Sequence, residues 1–372
     1  MIAKHTKVPS VLLLLFLGIG LKQIVTYFNF ETFDFLKILP TLGTMGLILI
    51  VFEGALDLKY DKDKNKLIKK TFFSAFVILL VTTGAITLLL HELTAYSYHL
   101  CFINAIPFSI ISSAIAIPSV KGIKKEQREF VIYESSFSDV AGIILFNFAI
   151  SNDSYNFSAF TNLGIELILI ILFATISCLL LLYLIGRINH NIKFFLIISI
   201  LVLVYAIGQS FHLSALIIVL AFGLFLNNAD EIRIPFFRKY FIYPNLSKDL
   251  VQLHQLSAES AFIIRTFFFV IFGFTIMIDQ FKDITLIQYG LIILSITYLI
   301  RLLYLKFIAK STLNPLVYIT PRGLISILLF YNLPKDLRIN GVETGLLFLI
   351  ILSTSLIMSF GLLGAKKEEV NA

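Results

Sequence analysis

The chain has 372 residues, 58% of them hydrophobic and only 14% charged, with a formal net charge of +7 and a mean hydropathy of +0.92. Typical soluble domains carry about 25% charged residues, so an ordinary soluble fold is excluded. The composition fits a polytopic helical membrane protein without a soluble appendage. Cys101 and Cys178 both lie in apolar runs, with no disulfide framework or metal motif around them.

A bilayer crossing needs roughly 20 mainly apolar residues. Taken in order, the candidate spans are 10–28, 37–57, 68–91, 98–119, 129–150, 161–186, 192–210, 212–227, 258–278, 285–308, 314–332 and 342–364. The first lacks a small-residue cleavage site, so no cleavable signal is expected. The seventh and eighth are divided by a short turn, Gln209-Ser210-Phe211-His212. The longest connection, 228–257, holds Pro235, Pro244 and an amphipathic surface stretch, Phe236-Phe237-Arg238-Lys239-Tyr240. The expected fold is therefore an all-α membrane protein of about 12 transmembrane helices, forming a single domain over residues 1–372.

Positive loops stay in the cytoplasm. With the N-terminus inside, Lys59 to Lys70, Lys121 to Arg128, Arg187 and Lys193, Arg233 to Lys248, Arg301 to Lys310, and Lys366 and Lys367 all fall on that side. Only Lys37, Lys282, Lys335 and Arg338 fall on the other. Both termini are thus expected in the cytoplasm. The same placement turns the positive charge toward anionic lipid headgroups and away from a nucleic-acid reading.

Few charges remain at membrane depth: Glu53, Glu134, Asp139, Arg265 and Arg322. A charge at the bilayer centre costs about 2.5–3.5 kcal/mol on insertion scales, so such residues mark ion or proton pathways. In the fifth span, Glu134-Ser135-Ser136-Phe137-Ser138-Asp139 interrupts an otherwise apolar run. At about 100° per residue, with Glu134 at 0°, Ser138 falls at about 40°, Ser135 at about 100° and Asp139 at about 140°. All four share one face. A carboxylate flanked by hydroxyls suits a hard monovalent cation or a proton, so Asp139, Ser138 and Ser135 are the candidate binding residues.

The eleventh span contains Asn314-Pro315 and Thr320-Pro321-Arg322-Gly323, which cannot form an uninterrupted helix. The fourth contains Pro107, Ser112, Ser113 and Pro118. Two broken helices crossing at the binding site characterise inverted-repeat transporters. Pro118, Pro315 and Pro321 are the expected break points. Arg322 is the expected partner of Glu134, because an unpaired buried arginine is costly.

Glu134-Ser135-x-x-Ser138-Asp139 followed by Pro321-Arg322-Gly323-x-x-Ser326 resembles the monovalent cation/proton antiporters, in the sodium/proton exchanger branch. Phe52-Glu53-Gly54 and the phenylalanine-rich Phe267 to Gly273 match further pieces of that pattern, which covers nearly the whole chain. Ser138 stands where the branch usually has Asn. Ala116-Ile117-Pro118 stands where it commonly has Thr-Asp-Pro, so Ser112 or Ser113 would replace the lost ligands.

The resemblance implies exchange of Na⁺, K⁺ or Li⁺ for H⁺ across a bacterial inner membrane, without enzymatic activity or cofactor. It implies a homodimer, with core helices within 98–150 and 258–332 and scaffold helices elsewhere. Glu53, Ser112, Ser113 and Arg265 become auxiliary residues. The absence of Thr-Asp keeps open a transport-inactive sensor or scaffold derived from an antiporter. A cation channel would use similar oxygen ligands but would not need a buried carboxylate–arginine pair. With one acid at the ligand position, one cation per proton and electroneutral exchange are expected.

Overall fold

The apolar runs become helices, and two of those helices are interrupted by extended chain. The structure, a computed structural model, describes residues 10–28, 39–58, 62–120, 122–153, 156–185, 193–210, 215–232, 234–242, 246–340 and 342–364. Among these there is no strand. The loop lysines Lys37, Lys59, Lys121, Lys366 and Lys367, with Arg187 and Arg233, lie outside the described residues, as do Phe211 and His212 of the turn before the eighth run.

In chain order the helices are α1 (Ser10–Tyr27), α2 (Leu39–Asp57), α3 (Asn65–Thr94), α4 (Tyr98–Ser109), α5 (Ser113–Ser119), α6 (Lys125–Ser151) and α7 (Phe157–Ile185). They continue as α8 (Lys193–Ser210), α9 (Ala215–Asn228), α10 (Pro235–Phe241), α11 (Leu246–Thr275), α12 (Ile284–Leu303), α13 (Leu324–Asn332) and α14 (Thr344–Leu363). Ser97 caps α4 by accepting from the Leu100 amide at 3.4 Å, and Asp283 caps α12 by accepting from the Thr285 amide at 2.9 Å. Among the described residues, six stretches are long and apolar enough to cross a membrane: Asn65–Thr94, Tyr98–Ser119, Phe157–Leu184, Leu246–Thr275, Ile284–Ile308 and Thr344–Leu363.

The chain divides into two compact units. One comprises residues 44–63 and 151–264. There Phe52 of α2 packs on Phe222 of α9, with ring centroids 6.2 Å apart, and Asn227 donates to the Leu56 carbonyl at 2.7 Å. Asp57 of α2 bonds the His254 ring of α11 at 2.8 Å.

The other unit comprises residues 1–43, 64–150 and 265–372. The first interruption, Ile110 to Ser112, separates α4 from α5. The second lies between α12 and α13. A π-helical turn, Tyr304–Ile308, ends α12, and irregular chain runs on to Gly323. The two interruptions touch: the Ser112 amide donates to the Pro321 carbonyl at 2.8 Å. Gly323 is required at this contact, since a Cβ there would lie only 2.8 Å from the Ser112 Cβ. Pro315 and Pro321 fall within the second interruption. Pro118 does not mark the first: it sits inside α5, and the break comes before that helix begins. Ile110 and Ile111 are β-branched and favour extended backbone, and other elements accept from the amides the break sets free.

Candidate cation-binding site

Breaking a helix strands backbone N–H groups, each of which needs an acceptor when buried. At the first interruption three amides find one. The Ile111 amide donates to Ser138 Oγ at 2.9 Å, the Ser112 amide to the Pro321 carbonyl, and the Ser113 amide to Asp139 Oδ2 at 3.1 Å. The two α6 side chains therefore hold the broken segment open. Gly142, one turn beyond Ser138, lets the Ile110 side chain lie against α6, because a Cβ there would overlap it. The Asp139 carboxylate also receives the N-terminal end of α5, where the helix dipole favours negative charge.

Asp139 is 7% exposed, and its second oxygen, Oδ1, is buried without a hydrogen-bond partner. Ser112 is fully buried with its hydroxyl likewise unpartnered. Buried polar atoms are almost always satisfied, and the exceptions need a reason. A half-satisfied carboxylate beside a broken helix can take up either a proton or a desolvated cation. Arg265 of α11 donates to the Ala114 carbonyl of α5 at 3.5 Å and interacts electrostatically with Asp139. Ser135 is not turned to Asp139: its hydroxyl donates back to the Val131 carbonyl of its own helix at 2.7 Å. Glu53 belongs to the other unit, where it interacts electrostatically with His254.

Glu134, five residues before Asp139, is in the opposite state. It is 1% exposed and both oxygens are taken. Arg301 of α12 reaches Oε2 at 2.8 Å and Oε1 at 3.2 Å, and Ser74 of α3 donates to Oε1 at 2.5 Å. Arg301 Nε also donates to the Leu316 carbonyl at 2.8 Å. One two-pronged pair thus joins α3, α6, α12 and the second interruption.

This corrects the expected partner of Glu134, which is Arg301 and not Arg322. It also moves Arg301 out of the cytoplasmic loop set, since its side chain is fully buried. Arg322 is fully buried too, but it donates to the Phe108 carbonyl at 2.5 Å and to Thr320 Oγ1 at 2.8 Å. Phe108 is in the last turn of α4, so the Arg322 cation sits on the negative end of that helix. The Arg322 amide donates to Thr354 Oγ1 of α14 at 3.0 Å.

The crossing of two interrupted helices, with one half-satisfied carboxylate and one saturated ion pair beside it, is an arrangement that recurs in secondary transporters. The family model for the sodium/hydrogen exchanger, transmembrane, matches residues 1–363, and the chain belongs to that family of transporters. The solved structure of the sodium proton antiporter MjNhaP1 from Methanocaldococcus jannaschii at pH 8 aligns with a TM-score of 0.73 at 20% identity, over 96% of this chain and 94% of that one. A structure of the same antiporter from an electron-microscopy map gives a TM-score of 0.65 at 21% identity, over 99% and 95%. Both likenesses show a shared fold. No curated protein matches the sequence.

Proposed function

We propose that this protein exchanges Na⁺, or K⁺ or Li⁺, for H⁺ across the membrane by alternating access, with Asp139 as the site for both. The observation that carries the reading is the state of that carboxylate: one oxygen anchored to the broken-helix backbone, the other buried and unpartnered. A cation at Oδ1 would take the Ser112 hydroxyl as a further oxygen ligand, with Ser138 and Ser113 shaping the segment around it. A proton at Oδ1 would exclude the cation. Competition for one carboxylate gives one cation per proton.

The Glu134–Arg301 pair serves a different purpose. It fixes α6 to α12, so that Asp139 and the second interruption keep their register. The wider proposal is a bacterial inner-membrane protein of about 12 spans with both termini in the cytoplasm, acting as a homodimer whose ion-carrying core lies within 98–150 and 258–332.

The test is cation-driven proton movement by the purified protein in sealed vesicles, comparing Na⁺, K⁺ and Li⁺. Proton flux that appears only with an opposing cation gradient, and disappears in Asp139→Asn, is expected. The missing Thr-Asp pair favours the second reading, a transport-inactive sensor or scaffold. That reading predicts no flux with any of the three ions.

A further inference from the structure

We propose that the shared end of α3 and α6 is a binding site for an anionic phospholipid, its phosphate on Lys66, Lys69 and Lys70 and its acyl chains on Phe72, Phe73 and Phe76. At about 100° per residue, Lys66, Lys69, Lys70, Phe73 and Phe76 fall within about 120° of the α3 circumference, and Phe72 lies about 40° beyond that arc. The three lysines are exposed. So are the rings, at 48% for Phe72, 61% for Phe73 and 44% for Phe76. From Lys69 to Phe76 the helix rises roughly 10 Å, which sets a positive head above an apolar strip on one continuous face.

Neighbouring contacts make this face a fixed surface. The Phe72 and Phe76 rings are parallel within 3°, 6.3 Å apart, and Phe72 meets Phe137 of α6 edge-on at 5.5 Å. Lys70 lies 6.0 Å from the Phe130 ring of α6, and Lys64 pairs with Glu129 at 3.1 Å. Lys124, Lys125 and Arg128 add positive charge at the start of α6, against the acids Asp63, Glu126 and Glu129. No acidic residue occupies the first turn of α3, and its N-cap, Lys64, makes no side-chain cap. Lysines at a helix N-terminus oppose its dipole, and a bound phosphate would reverse that conflict.

The chemistry selects a lipid over a soluble anion, because the phenylalanines continue the face into a stretch that is apolar enough to lie in hydrocarbon. Lysines clustered beside a bilayer attract its anionic headgroups. The same end is tied to the second interruption: Gln127 of α6 donates to Thr312 Oγ1 at 2.9 Å and to the Asn314 carbonyl at 3.2 Å. A lipid seated there would brace α3 and α6 where they meet the broken helix.

Binding is independent of the transport reading and is tested on the full chain in detergent. Phosphatidylglycerol, phosphatidylcholine or inorganic phosphate is added and the melting temperature is read. A rise of several degrees with phosphatidylglycerol alone is expected. The rise should vanish in the triple variant Lys66→Gln, Lys69→Gln, Lys70→Gln and persist in the control Arg238→Gln, Lys239→Gln, Lys248→Gln. An equal rise with phosphatidylcholine or inorganic phosphate, an undiminished rise in the α3 variant, or a loss in the control variant overturns the proposal. Should the triple variant fail to fold, Lys69→Gln alone is read by native mass spectrometry. Phosphatidylglycerol occupancy equal to that of the unaltered protein then overturns it.

Discussion

Glu134 and Asp139 lie a little over one turn apart on the same helix, and the protein treats them in opposite ways. Around Glu134 every oxygen is occupied, by two guanidinium nitrogens and a hydroxyl. Around Asp139 one oxygen is held by a backbone amide and the other is buried with no partner. A saturated buried carboxylate has nothing left to bind and can only hold helices together. An unsaturated one is expensive to keep, and on the proposed function a ligand that comes and goes would complete it. The difference comes from the elements each faces. Glu134 meets α12 at an arginine, whereas Asp139 meets a segment whose broken backbone supplies one donor.

The largest effect is therefore expected from removing the charge at Asp139. Asp139→Asn keeps the volume and can still accept from the Ser113 amide, so the protein should fold with an unchanged melting temperature. Cation-coupled proton flux should fall to background. Near-normal exchange by this variant would show that the two carboxylates do not divide their roles in this way.

At Glu134 the expectation is reversed, with stability lost first. Removing one partner of a buried pair costs about 3–5 kcal/mol, because the other charge is stranded. Glu134→Ala and Arg301→Ala should each lower the melting temperature and the yield sharply. The double variant Glu134→Leu, Arg301→Met should recover part of that loss, since apolar replacement of a whole pair is often neutral or better. A double variant no more stable than the singles would mean that the pair does more than join helices.

The contrast was only half legible in the sequence. Two acids and three hydroxyls inside an apolar run identified the helix face, and the proline-rich Asn314 to Gly323 stretch located the second interruption. Arg301 was hidden because it stands near Lys306 and Lys310 and was counted with them as a positive loop. Its flanks gave a signal: Leu299-Ile300 and Leu302-Leu303 bury it in an apolar run where a loop arginine has no place. Pro118 misled for a physical reason. Proline breaks a helix by lacking an N–H, but here the break lies at Ile110 to Ser112, which contains no proline. Acceptors on α6 and at Pro321 decide its position, and those are contacts distant in sequence. Ser135 shares the right helix face, yet the carbonyl one turn back captures its hydroxyl, a local competition that angle counting does not register.

A smaller effect should sharpen the comparison from the Asp139 side. If the Ser112 hydroxyl completes the cation's oxygen shell, Ser112→Ala removes one ligand and leaves the backbone bond to Pro321 in place. The loss of one such interaction is worth about 0.5–1.5 kcal/mol, which corresponds to a roughly two- to tenfold rise in the cation concentration for half-maximal flux. The maximal rate should be nearly unaffected. An unchanged half-maximal concentration would remove Ser112 from the shell.

The smallest expected effect is none at all, and it tests the comparison most generally. Of the polar side chains at the crossing, Glu134 is held in its pair with Arg301 and Ser138 carries no carboxylate. The guanidinium groups of Arg265 and Arg322 have no acceptor to offer a cation. On the proposed mechanism Asp139 is the one group that exchanges a proton for a cation, so one positive charge would cross in each direction per cycle. A membrane potential acts with about 2.3 kcal/mol per charge per 100 mV, so any net charge moved would couple strongly to it. In vesicles without ion gradients, an imposed potential of either sign should drive no cation uptake beyond the passive leak measured with Asp139→Asn. Uptake that follows the potential would mean that a second titrating group takes part, and that the single free carboxylate oxygen is only part of the site.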